Sequence, residues 1–102
     1  MKVFGPANSL RGSTTLPGDK SISHRALLHA ALSPGKSCLR NILRAGVTDS
    51  MIDCLKQLGV LFTVERDQII VQGGLWQQPN STLHCGNSGT TMRLLLGALA
   101  NK

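Results

Sequence analysis

The stretch LPGDKSISHRALLHAAL, residues 16–32, begins as a turn and continues as a helix. Residues 17–19 (Pro-Gly-Asp) are typical of a turn, and the segment from Ser21 is helix-like until Ser-Pro-Gly at 33–35 ends it. The first turn of a helix presents unpaired N–H groups and a partial positive charge, which attract phosphate or carboxylate groups. The stretch therefore predicts a place for an anion at the start of this helix.

Side chains around this helix start favour anion binding further. Lys20 brings a compact positive charge, Ser21 a hydroxyl, and Arg25 lies one turn later on the same face, where its guanidinium can bind an anion with two hydrogen bonds. We expect Gly18 to let a ligand approach the backbone. A nucleotide-binding P-loop is excluded because Asp19 separates Gly18 from Lys20. The alternative is a capping serine with solvated basic neighbours.

A second glycine-containing loop, CGNSGTTMR at residues 85–93, has the same character and opens a helix from about Ser88. Arg93 follows Gly89 by one helical turn, and an arginine in an otherwise apolar helix needs an anion or a carboxylate beside it. The loop is not a nucleophile elbow, because no residue separates Ser88 from Gly89. Its other glycine is Gly86, and its further polar side chains are Asn87, Thr90 and Thr91.

The remaining elements are predicted from alternation and turn residues. Thr48 is expected to be the N-cap of a second helix, and Gly59 its left-handed C-terminal residue. Arg66 and Asp67 separate two strands of a hairpin that Gly73-Gly74 ends. The helix stripes expected to be buried are Val47, Met51, Ile52, Leu55 and Leu58 in the second helix, and Met92, Leu95, Leu96 and Leu99 in the last. The expected strands are 9–16, 37–43, 60–65, 68–72 and 82–85.

These elements give the order β-α-β-α-β-β, followed by the opening β-α of a similar unit, which is an α/β (α+β) fold. A chain of 102 residues suffices for one domain. The chain stops at residues 101–102, directly after an apolar helix with nothing to pack on it, which suggests a chain cut short. The net charge of +6 indicates anionic partners. Single-stranded nucleic acid is disfavoured, because only Phe4, Phe62 and Trp76 could stack on bases.

Cysteines and histidines give no sign of a metal site. Cys38, Cys54 and Cys85 lack zinc-like spacing and are expected to be reduced thiols. Cys85 beside His84 is poorly placed for proton transfer, because adjacent strand residues point to opposite faces. The other two histidines, His24 and His29, are expected to be surface or packing residues. No apolar run has the length of a membrane span or of a signal peptide, so the expected location is the cytoplasm.

The two motifs together resemble a known family. LPGDKSISHRALLHAAL and CGNSGTTMRLLLGALA (85–100), with the intervening pattern from Asn41 to Val60, closely resemble 5-enolpyruvylshikimate-3-phosphate synthase (3-phosphoshikimate 1-carboxyvinyltransferase) across essentially the whole chain. The resemblance implies the inverse β-prism fold of the enolpyruvyl transferases, with two domains of three β-α-β-α-β-β units each. Residues 1–18 then correspond to a strand segment that packs in the other domain, and residues 19–102 to the first unit and the start of the second.

The resemblance also implies a reaction in the shikimate pathway, which leads to chorismate and the aromatic amino acids. The enolpyruvyl group of phosphoenolpyruvate moves to the 5-hydroxyl of shikimate 3-phosphate, and phosphate leaves, without a metal or organic cofactor. Implied partners are these two substrates and the remainder of the synthase chain, with no nucleic acid and no membrane; this chain alone is expected to be inactive. By resemblance Lys20 is catalytic and touches both substrates, Ser21 and Arg25 bind shikimate 3-phosphate, Gly89 binds phosphoenolpyruvate, and Asn87, Thr90 and Arg93 support that loop.

One departure and two alternatives stay open. The family usually has an acidic pair where this chain has Gly46 and Val47, and Asp49 is the nearest substitute for it. UDP-N-acetylglucosamine enolpyruvyl transferase shares the lysine but lacks the serine and arginine of KSISHR and the GNSGT loop. A non-catalytic module that binds anions or nucleic acid is the alternative from another class.

Overall fold

The computed structural model describes residues 2–100. Met1, in the expected segment 1–18, lies outside the described residues, as do Asn101 and Lys102 at the end of the expected segment 19–102. The described residues form three helices and three strands, which confirms the mixed α/β class. The elements are α1 (Lys20–Leu32), β1 (Gly35–Arg40), α2 (Gly46–Gln57), β2 (Leu61–Val64), β3 (Gln68–Gly73) and α3 (Gly89–Leu99).

The three strands form one antiparallel sheet in the order β1-β3-β2. The predicted hairpin is confirmed, with the N–H of Glu65 donating to Gln68 O at 2.9 Å across the turn. Along β3 the buried residues are Ile69, Val71 and Gly73, so one face of the central strand lies against the helices. Gly73 has to be a glycine because an added Cβ would collide with the carbonyl oxygen of Ala30 at the end of α1.

The core lies between that sheet face and the helices. Leu27 of α1, Met51 and Leu55 of α2 and Val71 of β3 are all fully buried, and Leu95 brings α3 into the same cluster. Burying a side chain of this size stabilises a fold by about 1.5–3 kcal/mol. The core therefore fixes the three helices relative to one another, and their N-termini with them.

The ends of α2 show how local signals define a helix. Its C-terminus is the predicted one: Gly59 has φ +97°, its N–H donates to Lys56 O at 3.0 Å, and Val60 N–H donates to Leu55 O at 3.1 Å. Its N-cap is Ala45, so the prediction that Thr48 caps the helix was wrong. Thr48 instead lies inside the first turn, where its hydroxyl accepts from Ala45 N–H at 3.0 Å and donates to Leu43 O at 2.6 Å.

Two predicted strands do not form within residues 2–100. Residues 9–16 and 82–85 contain no strand, since neither pairs with a neighbour. A strand is stable only where its N–H and C=O groups meet a partner, and the sheet here has just three strands. The strand expected at 37–43 forms with other bounds, as β1 over Gly35–Arg40.

The expected stripe of α2 is confirmed, except that Val47 is only half-buried, but the stripe of α3 was largely wrong. Leu95 is buried and Leu99 half-buried, whereas Met92 and Leu96 are 48% and 66% exposed. Thr91 is buried in their place, because its hydroxyl has polar partners in the interior. Among the described residues, no helix combines the length and the apolarity needed to cross a membrane.

Candidate anion-binding site

The start of α1 presents the predicted basic and hydroxyl groups to solvent. Asp19 is the N-cap, and its carboxylate accepts from Ile22 N–H at 2.8 Å. The serine expected as the alternative cap is therefore not used in that way. Ser21, Lys20 and Arg25 are exposed, and within residues 2–100 none of the three forms a side-chain hydrogen bond or ion pair. All three side chains are available to a ligand.

The start of α3 carries the second predicted anion-binding group. Ser88 is the N-cap, and its hydroxyl accepts from Thr91 N–H at 3.1 Å. The guanidinium of Arg93 folds back over Gly89, since a Cβ added to Gly89 would lie 3.3 Å from Nη1 of Arg93. A positive charge near a helix N-terminus is unfavourable by about 0.3–1 kcal/mol, because the helix dipole is also positive there. A bound anion would make the interaction with the helix N-terminus favourable.

The loop before α3 is fixed against α2. Gly86 has φ +58°, and a Cβ at this position would lie 2.8 Å from the hydroxyl oxygen of Ser50. Ser88 N–H donates to Cys85 O at 3.1 Å, which closes a turn. Asn87 is exposed and Thr90 half-buried, so the loop offers polar side chains and backbone at the surface.

A buried polar network joins the starts of all three helices. The imidazole of His24 is fully buried, with Nδ1 2.9 Å from Lys20 O and Nε2 3.2 Å from Val47 O. Nε2 also lies 3.4 Å from Oγ of Ser88. The Ser88 hydroxyl donates to Thr91 Oγ1 at 2.7 Å, and the Thr91 hydroxyl donates to Val47 O at 3.3 Å. The two predicted anion-binding helix starts are thus connected through one ring.

The charges around these helix starts are mostly uncompensated. Among the described residues the single ion pair is Arg44–Asp49, at 2.9 Å and partly exposed. Asp49, the candidate to replace the missing acidic pair, therefore forms an ion pair with Arg44. The basic side chains near α1 and α3, Lys20, Arg25 and Arg93, have no carboxylate partner in this part of the chain, which favours an anionic ligand.

The structure changes one predicted role. Gly18 was expected to admit a ligand, but a Cβ there would overlap the carbonyl oxygen of Asn41 and lie 2.9 Å from Leu43 N. The glycine is needed because two backbone segments cross at this point. Asn41 has φ +58° and its side-chain amide donates to Leu16 O at 3.4 Å, so it holds the same crossing from the other side.

His24 and His29 agree with the expectation of packing and surface residues, the first being buried and the second exposed. The network around His24 was not predicted, because two of its three partners are backbone carbonyls, and Val47 and Ser88 are distant in sequence. A histidine on the buried face of a helix was the one available signal. Within residues 2–100, no three side chains of the metal-binding types come together.

The cysteines are free thiols in three environments. Cys38 is exposed, Cys85 half-buried and Cys54 buried. Burial, together with the neighbouring Cys85 thiol, raises the pKa of Cys54 to about 11. The Cys54 thiol donates to the carbonyl oxygen of His84 at 3.3 Å, which anchors the segment leading into the loop before α3.

A sequence model of the family described as EPSP synthase (3-phosphoshikimate 1-carboxyvinyltransferase) matches residues 5–102. The 3-phosphoshikimate 1-carboxyvinyltransferase of Syntrophomonas wolfei is 44% identical over 102 residues, which cover 97% of this chain and 24% of that protein. The protein of the same name from Streptococcus agalactiae is 43% identical over 106 residues, covering all of this chain and 25% of that protein. The solved EPSP synthase from Acinetobacter baumannii superposes with a TM-score of 0.80 at 33% identity, covering 86% of this chain and 21% of that one. The chain thus spans about a quarter of the length of the curated relatives it matches.

Proposed function

This chain belongs to the EPSP synthase family, and we propose that it supplies one wall of a site that transfers the enolpyruvyl group of phosphoenolpyruvate to shikimate 3-phosphate. The observation that carries the proposal is that the His24 network joins two helix starts, those of α1 and α3. Both substrates are anions, and the reaction requires them side by side. Two neighbouring helix N-termini with unpaired basic side chains meet that requirement.

The residues divide between the substrates as follows. Ser21 and Arg25, one turn apart on α1, bind shikimate 3-phosphate, with the guanidinium of Arg25 donating paired hydrogen bonds to two oxygens of an anionic group. The backbone of Gly89 receives phosphoenolpyruvate at the start of α3. Lys20 serves both substrates and is the catalytic residue of this wall. The side chains that shape the second loop are Asn87, Thr90 and Arg93.

The chemistry depends mainly on electrostatics and proximity. The 5-hydroxyl group of shikimate 3-phosphate gives up its proton as its oxygen bonds to C2 of phosphoenolpyruvate. The methylene carbon takes up a proton in the same addition, which gives a tetrahedral intermediate. Loss of a proton from that methyl group and of phosphate from C2 then restores the double bond in the product. Fixed positive charges hold the two anions together and stabilise the charge of the leaving phosphate. In this proposal no step uses a metal or an organic cofactor.

We further propose that residues 1–18 pack on another part of a longer enzyme, and that residues 19–102 form a first repeat unit and the start of a second. The described part of the first segment supports this. Four of its apolar side chains, Val3, Phe4, Leu10 and Leu16, are between 71% and 91% exposed. Side chains of this size are usually covered in a working protein. We also propose a location in the cytoplasm, because the proposed role is a biosynthetic one on small phosphorylated substrates.

The proposal is tested with a chimaeric enzyme, in which this chain replaces the matching quarter of the Syntrophomonas wolfei relative. Phosphate release is measured with both substrates, with each one omitted, and with UDP-N-acetylglucosamine in place of shikimate 3-phosphate. The unmodified relative is the positive control. We expect release only when phosphoenolpyruvate and shikimate 3-phosphate are both present. A folded chimaera that releases no phosphate, or that accepts the nucleotide sugar equally well, would overturn the proposed function.

A further inference from the structure

We propose that His24 is a positioning residue for this reaction, which holds the shikimate 3-phosphate-binding start of α1 and the phosphoenolpyruvate-binding start of α3 in register. The inference rests on the proposed function. It concerns a residue that touches neither substrate, because its side chain is fully buried.

The ring is placed to act on both helix starts at once. On one side, Nδ1 lies 2.9 Å from the carbonyl oxygen of Lys20, the residue assigned to both substrates. On the other side, Nε2 lies 3.2 Å from Val47 O and 3.4 Å from the hydroxyl of Ser88, the N-cap of α3. Ser88 directly precedes Gly89, whose backbone is assigned to phosphoenolpyruvate. A displacement of the ring is therefore transmitted to the backbone at both substrate positions.

The contacts of the network form a closed ring. Ser88 and Thr91 bond each other at 2.7 Å, Thr91 bonds Val47 O at 3.3 Å, and Val47 O also faces His24. Within residues 2–100 no buried side-chain nitrogen or oxygen is without a hydrogen-bond partner. A satisfied buried polar network favours one arrangement of the elements it joins, since any other arrangement leaves polar groups unpaired.

The position of the His24 ring predicts how its loss should affect substrate binding and kcat. Binding of shikimate 3-phosphate alone uses side chains of α1, and these do not need α3. Turnover needs both substrates at a fixed separation, and a misplacement of about 1 Å can cost about 100-fold in rate. Loss of the ring should therefore lower kcat far more than it weakens shikimate 3-phosphate.

The test uses the chimaeric enzyme with His24→Leu and His24→Gln. Leucine fills the space without a hydrogen-bonding group, whereas the glutamine amide reaches about as far from the backbone as Nε2 and can donate to Val47 O. For His24→Leu we expect kcat to fall at least about tenfold while the Kd for shikimate 3-phosphate alone changes less than about threefold. For His24→Gln we expect recovery of most of the lost kcat.

Val71→Ala is the matched control, because Val71 is equally buried but lies in the sheet, away from the helix starts. It should lower the melting temperature without lowering kcat. If His24→Leu does not fold, Thr91→Val breaks the same network with little change in volume and carries the same expectation.

Three outcomes would overturn the role of His24. The first is a kcat of His24→Leu close to that of the unsubstituted chimaera, or the same result for Thr91→Val if His24→Leu does not fold. The second is an equal loss of kcat in Val71→Ala, and the third is no recovery of kcat in His24→Gln. Failure of the unsubstituted chimaera to turn over would instead overturn the proposed function, and this inference with it.

Discussion

The backbone of Gly18 lies directly against the carbonyl group of Asn41. No room exists for a Cβ between the segment that leads into α1 and the segment that follows β1, since an added Cβ would overlap Asn41 O and approach Leu43 N to 2.9 Å. This crossing fixes the start of α1, where Lys20 lies. The position of Lys20 therefore depends on a glycine that packs closely against the backbone of another segment.

Gly18→Ala is expected to destabilise the chain by about 2 kcal/mol or more, because backbone rather than a flexible side chain would have to move. Gly97→Ala is the control, since Gly97 lies in α3 with open space around its Cα, and alanine there should stabilise by about 0.5–1 kcal/mol. Thermal unfolding followed by circular dichroism measures both. Equal melting temperatures for the two variants would contradict the close contact between Gly18 and the backbone of Asn41.

The hydroxyl of Thr48 is expected to stabilise the first turn of α2. Thr48→Val keeps the shape but leaves Leu43 O and Ala45 N–H without their partner, at a cost of about 1–2 kcal/mol. For a domain of this size the melting temperature should fall by about 4–8 °C per kcal/mol. Thr63→Val, on an exposed position of β2, is the control and should change stability by less than about 0.5 kcal/mol. Similar melting temperatures for both variants would show that the hydroxyl has no such role.

The three thiols should differ in reactivity. Because burial and the Cys85 thiol raise the pKa of Cys54 to about 11, this thiol stays protonated at pH 8, with roughly one thiolate in a thousand. Cys38 is exposed and should react first with DTNB. The reactivity of Cys54 should rise only as the pH approaches its raised pKa. Cys38→Ser should remove the fast phase and Cys54→Ala should leave it intact; a fast phase lost in Cys54→Ala would contradict the assignment.

Arg25 is expected to act mainly on shikimate 3-phosphate. In the chimaeric enzyme, Arg25→Ala should weaken that substrate by at least about tenfold, the equivalent of losing one charge-assisted hydrogen bond, and phosphoenolpyruvate much less. Arg25→Lys should recover only part of the loss, because an ammonium group cannot reproduce the planar pair of donors. Titrations of each substrate by calorimetry separate the two effects. Equal weakening of both substrates would refute the division of the site.

Sequence patterns located the elements that depend on local signals. The left-handed Gly59 ends α2, and Arg66-Asp67 turn the hairpin, because such residues specify the backbone at their own positions. The strands expected at 9–16 and 82–85 failed, because a strand also needs a partner, and residues 2–100 provide none for them.

The candidate site, like the fold, was predicted only in part. The residues assigned to the substrates all lie in two short motifs, where charge, hydroxyl and glycine composition could be read directly; their roles remain a proposal. The stripe of α3 was misplaced, because this helix has leucines at three consecutive positions, 94–96, and the pattern cannot tell which faces the core. The contacts of His24 with Val47 and Ser88 arise only when three helices pack together, and no local pattern encodes them.

The most direct test of the central claim, that Lys20 serves both substrates, is phosphate release by the chimaeric enzyme with and without Lys20→Met. The unsubstituted chimaera should turn over, and the variant should lose more than about 90% of kcat/KM, because no neighbouring charge replaces the ammonium group. Retention of more than about a tenth of kcat/KM would limit the lost transition-state stabilisation to less than about 1.4 kcal/mol. That result would contradict the role assigned to Lys20.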